Sequence, residues 1–307
     1  MPVNDKKTIR AWTFYDWANS SFPLVINSAV FPAFYAANTE IRDPETKALI
    51  SDTITAFGHT FKNTELYSYF VSLALLVVCF TAPILSGIAD YKGNKKRFLA
   101  QFCALGAFSC AGLFFFDKNN IVLSMFPFLT ATIGYWGSLV FYNAYLPEIA
   151  STDMQDKVSA RGFALGYVGS SLLLIINLIL IMTKTFENMF HVKGLDARLA
   201  FIMVALWWFG FAQYTLKYLP KGEPAGKNGE GNIFTKGFRE LAHVFGELKA
   251  QVALKRFLRS YFFYNMGVQT VMYMATLFAA KEIDWPDEKY KQTALIISIL
   301  LIQFLGV

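Results

Sequence analysis

Stretches of apolar residues separated by short polar segments recur along the chain. They run from Phe14 to Ala37, Leu66 to Ala89, Phe98 to Phe116, Ile121 to Leu146, Gly162 to Thr183, Leu199 to Leu216 and Ser260 to Ala280. A helix crossing a bilayer needs about 17–25 such residues, so seven spans are predicted. An eighth apolar run opens near Thr293 and is still apolar at Val307, where the chain is expected to stop inside a helix and so to be truncated. The fold class expected is an all-α polytopic membrane protein.

Three of these runs carry polar residues at helical spacing. At about 100° per residue, Asp16, Asn19, Ser20, Pro23 and Asn27 share one side of the first span. Tyr135, Ser138, Tyr142 and Tyr145 form a similar stripe on the fourth, and Tyr261, Asn265, Gln269 and Thr276 one on the seventh. A polar stripe in lipid turns toward the bundle interior or a water-filled cavity, and it also serves plain helix-to-helix hydrogen bonding. Asn19, Ser20, Asn27, Tyr142, Asn265 and Gln269 are the residues expected to contact a solute in a central cavity. Pro23 removes a backbone hydrogen bond within the first span, which predicts a hinge there. Gly162, Gly166 and Gly169 put small residues on one face of the fifth span, where another helix can approach closely.

Composition agrees with a membrane setting: 55% of residues are hydrophobic and only 16% charged, against about a quarter charged in a soluble domain. Basic residues gather in the loops on one side of the membrane. Here 18 of the 28 Lys and Arg fall on the side of the N-terminus, which is therefore expected to be cytoplasmic. The net charge of +6 follows from that asymmetry. No basic, aromatic-interleaved domain lies outside the spans, which argues against nucleic-acid binding. Lys6, Lys7 and Arg10 lead into a run too long and too polar at its middle for a signal-peptide core, so the first span is expected to remain in the mature protein. Cys79, Cys103 and Cys110 lie within spans without metal-ligand spacing and are expected to pack. The three histidines sit in separate loops, and neither an HExxH motif nor a phosphate-cradling glycine motif is present. No enzyme, cofactor or metal site is expected.

The segment from Lys217 to Arg259 is rich in Gly and Pro and predicts a linker, followed by an amphipathic helix over Ile233 to Leu258. The organisation expected is a six-helix bundle over 1–216, a linker over 217–259 and the start of a second bundle over 260–307. On the opposite side, Asn38 to Glu65 is long enough to form a small cap or to stay flexible.

Two carboxylates stand out. Asp16 lies two residues inside the first predicted span, a depth that favours a gate, or a pair with Arg10 or Lys95, over contact with a solute at the midplane. Glu148 follows Pro147 at a helix end, with Arg161 as the expected partner, and is a second gate candidate.

The loop Ser86-Gly87-Ile88-Ala89-Asp90-Tyr91-Lys92-Gly93-Asn94-Lys95-Lys96-Arg97 resembles the signature loop of the major facilitator superfamily, with Ala89, Asp90, Gly93 and Lys95 matching. Ser86, Tyr91 and Asn94 depart from the pattern. Within that superfamily, Tyr15 to Phe22, Asn143 to Ala150 and Ser159 to Tyr167 resemble segments of the branch related to the autophagy-linked vacuolar amino-acid effluxers, which has many bacterial members. The resemblance covers Trp12 to Val307. It implies a twelve-helix parent of which about four helices are absent, with solute contacts from helices one, four and seven and a cytoplasmic hinge at Asp90, Gly93 and Lys95.

The function expected is secondary active transport of a small polar solute by alternating access in the inner cell membrane. Amino acids are the class the resemblance implies, the bilayer is the surroundings, H+ is the candidate coupling ion, and a monomer is expected. A lipid or peptide flippase and a non-transporting sensor or scaffold on the same fold are the alternatives.

Overall fold

The computed structural model describes residues 3–46, 49–221 and 251–282, together with Gly246 and Leu248. Helix α1 spans Lys6–Asn19. Its N-cap, Asp5, accepts hydrogen bonds from the Thr8 hydroxyl (2.7 Å) and the Thr8 amide (2.8 Å). Those bonds hold the Asp5 carboxyl below its ordinary range. The helix thus begins eight residues before the apolar run, and its first residues are not marginal: Thr8, Ile9, Ala11 and Trp12 are buried. Asp16 is correspondingly deep, about 15 Å along the helix from its start. Hydropathy located only the apolar middle of this segment, which is why the sequence set Asp16 near an end.

Beyond Asn19 the helix widens. Phe22–Val30 winds as a π-helix, and the Ser28 hydroxyl reaches back five residues to the Pro23 carbonyl (2.9 Å). Ser21 meanwhile bonds the Ala18 carbonyl (2.8 Å). The expected hinge at Pro23 is therefore a wide turn whose loosened carbonyls are met by nearby hydroxyls, a feature frequent at functional sites. The segment closes with α2, Phe31–Thr39.

Two small antiparallel strand pairs follow, β1 (Ile41–Arg42) with β2 (Leu49–Ser51) and β3 (Thr53–Ala56) with β4 (His59–Lys62). The Asn38 to Glu65 segment is thus a folded cap over its described length.

Helix α3 (Asn63–Lys92) ends at Gly93, whose φ of 65° supplies the left-handed cap needed to turn into α4 (Lys95–Gly112) within two residues. Helix α5 covers Ile121–Ala144, the short α6 Leu146–Ile149, α7 Thr152–Thr183, α8 Thr185–Phe190, α9 Leu195–Tyr218 and α10 Val252–Glu282. Among the described residues, six segments are long and apolar enough to cross a membrane, and they correspond to the first six predicted spans. The seventh lies inside α10. Tyr261, Asn265 and Gln269 keep its hydropathy below that of the other six. The expected eighth span lies outside the described residues, as does the expected amphipathic helix apart from its last residues, which open α10.

Helix α1 packs between α7 and α9, α5 packs on α3 and α4, and α10 lies against the π-helical segment and α2. An aromatic cluster fills the centre of one half: Phe31 stacks on Phe128 at 4.5 Å, with Tyr67 and Phe201 around it. Facing outward are Leu73, Phe80, Phe108, Leu123, Ile179 and Leu206, all exposed. Apolar outer faces on helices that satisfy their own backbone are what lipid requires. The chain is a multi-pass, all-α membrane protein.

Candidate functional site

A cavity of about 580 Å³ opens between α1, the π-helical segment, α5, α7 and α10. Among the described residues lining it, Asp16 is the one Asp, Glu, Lys or Arg, and it is only 5% exposed. One carboxylate oxygen is fixed. The Tyr142 hydroxyl of α5 donates to Asp16 Oδ2 at 2.7 Å. On the α7 side that oxygen sits over Gly162, where any Cβ would collide with it. Gly166 admits Ser20 in the same way, and Gly169 admits the Trp17 ring. The glycine face of the fifth span is thus the seat on which the Asp16–Ser20 side of α1 rests. Asp16 Oδ1 accepts no hydrogen bond from the described residues, although the residue lines the cavity.

Tyr142 is itself held. Trp12 stacks on its ring at 4.2 Å with the planes 10° apart, and Trp12 Nε1 donates to the Tyr142 carbonyl at 2.9 Å. Tyr15 packs on its other side at 5.0 Å. An aromatic clamp of this kind fixes ring orientation by area and quadrupole together, and so fixes the direction of the hydroxyl that meets Asp16.

Further along the same wall, Asn27 is 5% exposed and its Oδ1 has no hydrogen-bond partner among the described residues. Beyond it α10 is tied down. Thr276 Oγ1 donates to the Ser28 carbonyl, and Trp136 Nε1 donates to the Tyr273 hydroxyl at 2.8 Å. At the opposite end, where the N-terminus lies, Lys95 and Glu148 form an ion pair. Lys96 donates to the Leu219 carbonyl (2.8 Å) and the Tyr145 hydroxyl to the Pro220 carbonyl (3.0 Å), fixing the exit of α9.

Of the residues expected in a cavity, Ser20, Asn27, Tyr142 and Gln269 line this one, and Asn19 and Asn265 do not. Asn19 stands about 60° from Asp16 around the helix, which turns it into the bundle, where it is buried. Asn265 faces a separate chamber between α3 and α10 that shares Gln269, Trp136 and Tyr273 with the first. Two pairings differ from expectation. Asp16 meets Tyr142 and neither Arg10 nor Lys95, because the glycine face draws its carboxylate toward α5 and α7. Glu148 meets Lys95 and not Arg161, since α6 turns its carboxylate toward the start of α4. Gly93 caps α3 as described, while the Asp90 side chain lies outside the described residues. The stripe pattern missed Trp136, Asn143, Tyr167 and Tyr273. On α7 the signal was the glycine spacing, because Tyr167 and Ser170 border the face it defines.

The pattern that defines the family described as vacuole effluxer Atg22 like matches residues 4–307. The chain belongs to that family. Relatives of this Atg22-like chain include an uncharacterized MFS-type transporter, YxiO, from Bacillus subtilis (strain 168), 31% identical over 274 residues that make up 89% of this chain and 60% of YxiO. Autophagy-related protein 22-1 of Aspergillus clavatus is 22% identical, over 74% of this chain and 49% of its own length. Autophagy-related protein 22 of Yarrowia lipolytica is 23% identical, over 75% and 51% respectively. The Atg22-like chain therefore spans about half to three-fifths of these relatives. No solved structure matches it.

Proposed function

We propose that the protein is a secondary transporter that carries a small polar solute by alternating access, with amino acids as the class the family resemblance implies. The observation that carries this reading is the cavity whose described lining holds one buried carboxylate and no Lys or Arg, since a charge buried away from a cation is expensive and marks solute and ion pathways. In this reading residues 1–216 are one bundle, and α10, the described part of the expected second bundle, closes the cavity on the side of Asn27 and Tyr273. The excess of Lys and Arg beside the N-terminus supports a cytoplasmic N-terminus in the inner cell membrane.

Alternating access needs one closure on each side of the solute. The ties of α10 to Ser28 and Trp136 serve as the closure far from the N-terminus, and the Lys95–Glu148 pair beside Gly93 belongs to the other. Asp16 lies between them as the coupling group, because a proton or a cation there changes the charge of the lumen. Counterflow of an amino-acid panel by the full-length protein in proteoliposomes tests the reading. Saturable exchange of at least one member is expected; no exchange of any solute by folded protein overturns it and leaves the flippase and sensor alternatives.

A further inference from the structure

Two buried oxygens of the cavity stand open to a guest. Asp16 Oδ1 accepts nothing from the described residues, while its partner oxygen is taken by Tyr142. Asn27 Oδ1 is buried, has no hydrogen-bond partner among the described residues and lies on the same wall. Both are acceptors, and no Lys or Arg is among the described lining residues. A group that meets the Asp16 carboxylate brings a donor and positive charge, while the Asn143 amide and the Tyr167 hydroxyl in the same lining meet any neutral polar part of the solute. The walls suit the same guest: Tyr135, Trp136, Phe163, Tyr167 and Tyr273 surround the space, and aromatic faces attract a cation in a desolvated site.

We propose that the solute carries a cationic amino group that binds Asp16 Oδ1, so that the protein selects amines against neutral and anionic molecules of the same shape. This rests on the reading of the cavity as the solute site and names the chemistry of that site. A charge-assisted hydrogen bond is shorter and roughly twice as strong as a neutral one. Of the two oxygens, Oδ2 holds the carboxylate in place through Tyr142 and Gly162, and Oδ1 is the one left for the guest. Asn27 lies eleven residues further along the same segment, in its π-helical part, and receives a second donor from a longer solute.

The test is equilibrium binding to the full-length protein in detergent, followed by tryptophan fluorescence, with phenethylamine, N-acetylphenethylamine and 3-phenylpropionate as probes. Phenethylamine is expected to bind at least tenfold more tightly than its acetylated form, with the carboxylate weakest. Asp16→Asn is expected to bring the amine down to the acetylated form while leaving the latter unchanged. Equal binding of amine and amide by the unaltered protein overturns the proposal without any variant, and so does binding of none of the three. Flux separates the two levels. Amine binding without transport of any solute removes the transport reading and keeps the amine site, whereas transport indifferent to amine acetylation does the reverse.

Discussion

Gly162→Ala is expected to lower solute flux by at least tenfold in a protein that still inserts and folds. The added methyl group would occupy the space of Asp16 Oδ2 and crowd the Tyr142 hydroxyl, 3.3 Å away. Either the carboxylate swings off its hydrogen bond or α7 is pushed from α1, and overpacking of this kind costs about 1–3 kcal/mol. A tenfold change in affinity needs only about 1.4 kcal/mol. Gly210→Ala on the exposed face of α9 is the matched control, since nothing lies within 4 Å of its added Cβ. Flux assays on both, with thermal melting beside them, check the expectation. Unchanged flux in Gly162→Ala would show that the position of Asp16 is immaterial.

Tyr142→Phe is expected to weaken solute binding about tenfold with little change in melting temperature. The ring keeps its stack on Trp12, and only the hydroxyl that fixes Asp16 is lost. A hydrogen bond to a charged group contributes about 1.5–3 kcal/mol. Tyr15→Phe provides the contrast on the same cluster. Its hydroxyl is buried without a hydrogen-bond partner among the described residues, so removing it is expected to leave binding within twofold and to raise stability slightly. Isothermal titration on the two variants separates a role for the Asp16 contact from a general need for tyrosine there.

Much of the architecture was legible in the sequence because the relevant signal is one-dimensional. Twenty apolar residues in a row have few fates besides a membrane helix, and the first six of the seven predicted spans are helices long and apolar enough to cross a membrane, the seventh lying inside α10. Gly93 was legible for a similar reason, since a two-residue turn between long helices needs a left-handed residue. Side-chain partners were not legible. Whether Asp16 meets Lys95 or Tyr142 depends on how α1 is rotated against α7, and that rotation is set by three glycines more than 140 residues away. The position of Asn27 rests on the π-helical turn, which breaks the 100° spacing from which the stripe was drawn. The β3–β4 hairpin does carry a signal, Thr53 to Ala56 alternating polar and apolar before the turn at Gly58, but four residues of alternation are too short to separate a strand from an irregular loop.

The most direct measurement is saturable uptake by proteoliposomes of the full-length protein under an imposed pH gradient, with Asp16→Asn run beside the unaltered chain. With Asp16 in the coupling path, flux responds to the gradient in the unaltered protein, and in Asp16→Asn it falls at least tenfold and no longer responds. Equal, equally gradient-driven uptake by the two proteins would contradict the account, because a cavity that works without its carboxylate is not built around it.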